Sequence, residues 1–233
     1  MKKLFISLLL AVTPFGAAFA EGAFDGVNLQ LGLGASMTKS QQNQSAWFAV
    51  YGEPYNQSFT FNKTNLVGSV SLGYSYGFSN QLNLAANVFY NASSNNAGSN
   101  TQAFSDGSSM TRTMSLKNVM GISLEPGYYF DKNFLGFLKL GIAQASSSQS
   151  YSFSDGGSLD SENFGNTNGF LLGLGGKYAL TESLYLGAEF YQINFAKKTN
   201  NYSSGAGTIY ESSFTISNQP TYNYGGLTLG YRF

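Results

Sequence analysis

Eight segments of this 233-residue chain alternate apolar with small or polar residues at a period of two, which restricts them to strands with two chemically different faces. Gly26 to Ser36 sends Val27, Leu29, Leu31, Leu33 and Ala35 one way and Asn28, Gln30, Gly32 and Gly34 the other. Asn65 to Phe78 sets Leu66, Val70, Leu72, Tyr74, Tyr76 and Phe78 against Ser69, Ser71, Gly73, Ser75 and Gly77. The others are Leu82 to Tyr90, Leu116 to Phe130, Phe134 to Ala145, Gly169 to Leu180, Leu184 to Phe195 and Tyr222 to Phe233. Each reaches the ~9–11 residues a tilted strand needs to cross a bilayer. Closed into a ring, such strands satisfy every backbone group without water.

Connections alternate in size. Short turns fall near residues 79, 132 and 182, and long polar segments run over 37–64, 91–115, 146–168 and 196–221. Short periplasmic turns and long extracellular loops are the pattern of outer-membrane barrels. Turns and terminus recur about every 51 residues, and the strands entering the short-turn side end alike, in Gly73-Tyr74-Ser75-Tyr76-Gly77-Phe78, Gly127-Tyr128-Tyr129-Phe130, Gly176-Lys177-Tyr178 and Gly230-Tyr231-Arg232-Phe233. Aromatic rings at one level on alternate strands predict a girdle at the lipid–water boundary.

Both ends point to the same compartment. Met1-Lys2-Lys3 is basic, Leu4 to Val12 is apolar, and Ala18-Phe19-Ala20 precedes Glu21, the layout of a secretory signal peptide cleaved after Ala20. Residues 21–233 are then expected as one exported domain. At the other end Leu227, Leu229, Tyr231 and Phe233 share one face, with Thr228, Gly230 and Arg232 between them.

The bulk composition narrows the chemistry. Without Lys2 and Lys3, 10 of the 12 basic residues stand against 12 acidic ones, so nothing basic enough for nucleic acid is expected. There is no Cys, hence no disulfide, thiol chemistry or thiolate metal site. The absence of His leaves a Ser nucleophile without its usual base. No catalytic residue, cofactor or metal is expected.

By alternation Glu125, Lys139, Lys177 and Glu189 point into the lumen at similar depth. An eight-stranded barrel is just wide enough to fill with side chains, and an unpaired buried charge is costly. A salt-bridge network of these four, joined by Arg232, is therefore expected. Asp155, Asp160 and Glu162 carry oxygen ligands for a divalent cation, but their spacing fits no Ca²⁺ loop, so a solvated acidic loop is the favoured reading. Gly32-Leu33-Gly34 and Gly173-Leu174-Gly175-Gly176 lie inside alternating strands with no helix following, so they are strand glycines and not phosphate loops.

Aromatics mark the long segments. Trp47, Phe48, Tyr51 and Tyr55 in the first, with Tyr202, Tyr210 and Phe214 in the last, fit either an adaptable recognition surface or strands extended above the membrane. Lys63, Arg112, Lys117, Lys197 and Lys198 stand on loops or strand tops, where they could meet lipopolysaccharide phosphates.

The signal peptide, eight strands, alternating connections and terminal Tyr231-Arg232-Phe233 together resemble the small Gram-negative outer-membrane β-barrel family, that of the OmpX-like proteins and the OmpA membrane domain. The resemblance implies an all-β, eight-stranded antiparallel up-and-down transmembrane barrel in the cell outer membrane. It also implies that Leu227, Leu229, Tyr231 and Phe233 form the signal read by the barrel-assembly machinery. Expected partners are outer-membrane lipid, lipopolysaccharide and a host or matrix ligand held by the loops of a monomer. The implied function is non-enzymatic: envelope stability, adhesion or surface recognition. The alternatives are a narrow channel of OmpW type and a soluble ligand carrier of lipocalin type.

Overall fold

A computed structural model describes residues 22–48, 55–78, 81–93, 96–204 and 212–233. The expected signal segment, Ala18, Ala20 and Glu21 included, lies outside them.

Ten strands form one antiparallel ring: β1 (Gly26–Phe48), β2 (Tyr55–Gly77), β3 (Leu82–Ser93), β4 (Asn96–Ala103), β5 (Ser109–Asp131), β6 (Phe134–Phe153), β7 (Ser158–Ala179), β8 (Leu184–Phe195), β9 (Lys198–Ser204) and β10 (Ser212–Arg232). They make eight staves, because β4 continues β3 and β9 continues β8 beyond short breaks. Pairing of β1 with β10 closes the ring. The eight segments read from the sequence are the lower parts of these staves.

The register sets the barrel's shape. From Leu29, ladder partners run through Leu72, Val88, Ile122, Ile142, Phe170, Asn194 and Thr221, and return to β1 at Lys39, ten residues further along. A stagger of that size over eight staves tilts the strands by about 40°. Each residue then climbs roughly 2.5 Å along the axis, and the 23 residues of β1 span ~55–60 Å. A hydrocarbon core is ~30 Å thick, so the barrel stands well above it.

The four long segments expected as loops are accordingly paired strand for most of their length. Alternation continues through them, with small polar residues outside and lumen-filling residues such as Ser40, Gln42 and Phe61 inside. Because that outer face is polar, the hydropathy signal fades where the strand does not. Asn118, at a bulge in the β5–β6 ladder, is the one described non-glycine residue with positive φ (54°), which Asn tolerates well.

Above the breaks the ring divides into two four-stranded leaves. One is β9–β10–β1–β2 and the other is β4–β5–β6–β7; among the described residues no ladder joins β2 to β4 or β7 to β9. Gly98, with φ at +130°, brings β4 against the backbone of Asn62 on β2, and Asn65 Nδ2 donates to the Asn96 carbonyl across the same seam at 2.9 Å. At the other seam Asn200 Nδ2 and Tyr202 Oη, on β9, donate to the Glu162 carboxylate on β7 at 3.1 and 3.0 Å.

The two faces sort as a membrane barrel requires. Leu72, Leu124, Leu140 and Leu174 are 44–58 % exposed, whereas Glu125 and Lys139 are 2 % and 3 % exposed inside. The outward apolar band, from Phe78 and Phe130 up to Leu66 and Phe170, is roughly 25–30 Å tall. A soluble carrier would put its apolar face inside and its polar face out, so the lipocalin-type alternative is excluded. Tyr76 with Phe78, Tyr128 with Phe130, and Tyr231 with Phe233 pair edge to face at centroid distances of 5.1, 5.2 and 5.0 Å along the band's lower rim.

Candidate functional site

At one level of the lumen four consecutive staves each place one charge. Glu125 comes from β5, Lys139 from β6, Lys177 from β7 and Glu189 from β8. Across the ladder Lys139 faces Gly173, Lys177 faces Gly187 and Glu189 faces Gly175, so each long side chain has room to cross the barrel. They line up as a chain of ion pairs. Lys177 Nζ lies 2.8 Å from Glu125 Oε2, Lys139 Nζ 3.2 Å from Glu125 Oε1, and Lys139 Nζ 2.6 Å from Glu189 Oε2. Aromatic faces complete the cations' surroundings: Tyr191 lies 5.2 Å from Lys139 Nζ and Phe137 lies 4.8 Å from Lys177 Nζ.

Arg232 is placed elsewhere. Its guanidinium donates to the Gly22 and Asp25 carbonyls, both at 3.2 Å, holding the segment before β1 across the periplasmic mouth. The reason is its position at the last turn of register, well below the ion-pair level. There Phe24 packs against Tyr129 and Tyr185 at 5.9 and 5.5 Å, with Leu135 beside them. Asp25 accepts from the Gly22 amide and Asn83 Nδ2 at 2.8 and 2.9 Å.

Burial raises the Asp25 carboxyl above its ordinary range, against the lowering effect of the Gly22 and Gly77 amides and Arg232. A carboxyl raised by folding favours the folded mouth in acid, and that contribution is lost as pH climbs from the unfolded value through the raised one. Asp25→Asn should remove this decline, which urea titrations between pH 3 and 8 would register as a flatter stability profile.

Above the ions, Phe89, Tyr191, Tyr222, Tyr224, Ile193 and Phe195 fill the lumen as one apolar cluster. Asn91 Nδ2 donates to Tyr191 Oη at 2.6 Å. Higher still, the amides of Gln42 on β1 and Gln149 on β6 bond each other reciprocally across the lumen. Ser40 donates to Asn218 Oδ1, and Asn218 Nδ2 donates to Ser147 Oγ at 3.0 Å. The lumen is thus occupied at three levels: an aromatic stop, an ion layer and an apolar column stitched by amides.

The outer positions sort differently from expectation in places. Arg112 points inward, 5 % exposed, with its guanidinium 4.2 Å from the Phe59 ring centroid and Nη1 donating to Gln102 Oε1 at 3.1 Å, so it faces no lipid. Lys63, Lys117 and Lys197 are exposed, as is Lys39, which the sequence reading passed over. Phe214 packs against the core, whereas Trp47 and Tyr202 are exposed. Glu162 is engaged by Asn200, Tyr202 and Tyr151, and Asp155 accepts from the Gly157 amide at 2.9 Å within its turn. Among the described residues no three acids gather as a metal site. Tyr51, Glu53, Tyr210 and Glu211 lie outside the described residues, as do the side chains of Phe48, Tyr55 and Asp160. The glycine-rich runs are strand, and a Cβ on Gly34 would sit 2.4 Å from the Gly225 carbonyl oxygen. Leu227, Leu229, Tyr231 and Phe233 all face outward.

Phe24 with Asp25, and the Gln42–Gln149 pair, escaped sequence reasoning. An aromatic next to an acid just ahead of the first strand was the only hint of the former. For the latter there was none, because the partners are 107 residues apart.

The model of the outer membrane protein beta-barrel domain family matches residues 5–233. The chain belongs to that family. Several solved structures are similar in fold. Outer membrane protein OprG from Pseudomonas aeruginosa is 8 % identical with a TM-score of 0.48, over 91 % of this chain and 100 % of that one. Outer membrane protease OmpT from Escherichia coli is 13 % identical with a TM-score of 0.46, over 93 % of this chain and 99 % of that one. Neisserial surface protein A is 12 % identical with a TM-score of 0.40, over 85 % of this chain and 97 % of that one. No curated protein matches the chain. As a family member the barrel resides in the outer membrane of a Gram-negative envelope, and its long hairpins face outward.

Proposed function

We propose that this is a non-enzymatic surface protein whose barrel anchors rigid extracellular hairpins for envelope stability, adhesion or recognition of a host or matrix ligand, acting as a monomer. The observation that carries this reading is the extension of paired strands well beyond membrane thickness, over a lumen occupied at three levels. Paired strands hold the hairpin tips, such as 104–108 and 154–157, in fixed places at little entropic cost on binding. The outward row Leu227, Leu229, Tyr231 and Phe233 would serve as the assembly signal, and Phe233→Ala should lower the amount of barrel in the outer membrane several-fold.

Two measurements test the reading. In planar bilayers the purified barrel should give no discrete conductance steps; regular steps would restore the narrow channel. Cells displaying it should bind extracellular matrix or host cells more than cells carrying a barrel trimmed at both tips, and equal binding would remove the recognition role.

A further inference from the structure

The Phe78 amide donates to the Leu82 carbonyl at 2.9 Å, at the foot of the β2–β3 ladder. Along an unbulged strand the backbone groups of successive residues face opposite neighbours. The β1–β2 ladder runs from Gly26↔Ser75 to Ala46↔Tyr55 without a register shift. Every even-numbered residue of β2 therefore turns its N–H and C=O away from β1. From Gly77 up to Val67 the strand on that side is β3. Higher up, β4 crosses the edge at Gly98, whose Cβ position lies 2.8 Å from the Asn62 nitrogen and 2.9 Å from its carbonyl oxygen. Beyond that crossing Asn56, Ser58 and Thr60 each aim one donor and one acceptor into the seam. No backbone partner meets them among the described residues.

Four strands line the two seams, and the other three are guarded. A bulge between Asn96 and Gly98 breaks the β4 edge. Bulges in the β6–β7 ladder, with Gly165 at a φ of +70°, do the same for β7. Asn200 and Tyr202 tie β9 to Glu162. Bulges, charges and Pro are the devices that keep an open edge from pairing. The run Asn56-Gln57-Ser58-Phe59-Thr60 contains no charge, Pro or bulge. Ser58 stands about 20 Å above Leu66, clear of the hydrocarbon.

The two faces of this edge define what fits beside it. Phe59 and Phe61 are buried in the core between the leaves, with the Arg112 guanidinium 4.2 Å from the Phe59 ring centroid. Asn56, Ser58 and Thr60 are exposed on the outer face. A strand laid along the edge would send alternate side chains onto the core beside Phe59 and the others into water beside Ser58 and Thr60.

We infer that the upper edge of β2 captures an extended segment of a partner protein as an added strand, apolar at every second position and polar between. Ladder hydrogen bonds supply the affinity and the alternate side chains the selectivity. This capture rests on the recognition role proposed above and gives its partner a chemistry. A neighbouring copy in the same membrane does not fit: turned about the membrane normal, its β2 would cross this one at about 80°, twice the strand tilt.

Fluorescence polarisation of the detergent-purified full barrel tests it, with a labelled peptide of alternating Thr and Val as probe and the fully N-methylated peptide beside it. The wild type should bind the first at least about tenfold more tightly than the second, which cannot donate to a ladder. Ser58→Pro removes a donor that faces the seam and none that faces β1, so it should cost at least about tenfold in affinity for the probe. Ser58→Ala keeps that donor and should cost less than about threefold. Capture of neither peptide, equal capture of both, or a Ser58→Pro barrel that binds as wild type does would overturn the assignment. A wild-type dimer that excludes the probe and is lost in Ser58→Pro would give the edge to a second copy, and would overturn it too. Should Ser58→Pro lose its heat-modifiable gel band, the comparison of the two peptides on the wild type decides alone. The barrel trimmed at the 104–108 and 154–157 tips retains this edge, so its probe binding is read separately from its binding to cells.

Discussion

Glu125→Gln should lower the barrel's stability by about 3–5 kcal/mol, while Glu189→Gln costs no more than about 1–2 kcal/mol. The difference follows from connectivity. Glu125 pairs with both Lys139 and Lys177, whereas Glu189 pairs with Lys139 alone. Neutralising Glu125 strands Lys177, whose only ion-pair partner among the described residues it is, in a lumen where its side chain is 5 % exposed. Neutralising Glu189 leaves Lys139 its bond to Glu125, and the new amide oxygen can still accept from the ammonium. Urea midpoints of the refolded proteins in lipid vesicles give the comparison. Equal losses for the two variants would mean that Glu125 is not the centre of the chain.

A comparable loss is expected from a single methyl group at Gly141. Its Cβ would lie 2.2 Å from the Ile122 carbonyl oxygen and 3.1 Å from Ser123 Cα, both backbone atoms of the adjacent stave. Gly121 makes the reciprocal approach, with a Cβ there 2.3 Å from the Ile142 carbonyl oxygen. The two glycines let β5 and β6 coil tightly near the bulge at Asn118. Relief would require the ladder itself to shift, so Gly141→Ala should cost at least the 1–3 kcal/mol typical of overpacking, and about as much for Gly121→Ala. Gly68→Ala is the control, because nothing lies within 4 Å of its Cβ position. The Gly141 variant should lose much of its heat-modifiable gel band under conditions in which the Gly68 variant keeps it. If both migrate as wild type does, the close approach is not a constraint.

The limits of sequence reading lie at identifiable residues. Alternation located Leu72 and Leu124 outside and Glu125 and Lys139 inside, because a strand's period of two allows only those two directions. The same rule lost its contrast above the membrane. From Gln41 to Ser45 both faces are polar, so strand and loop look alike, though β1 continues unbroken to Phe48. Arg112 illustrates a second limit. A cation at a strand top suggests lipid phosphate, but register turns this one onto Phe59 inside the lumen.

The amino-acid sequence alone determined the all-β class, the eight staves, which face meets lipid, and which side carries the long hairpins, since each is a local consequence of residue order and strand geometry. Tertiary structure decided the ten-residue stagger, the split into two leaves, the partners of Glu125 and the stopping of the mouth by Phe24. These depend on which distant strands become neighbours and at what height, and hydrogen-bond register between strands leaves no periodic trace in a single chain.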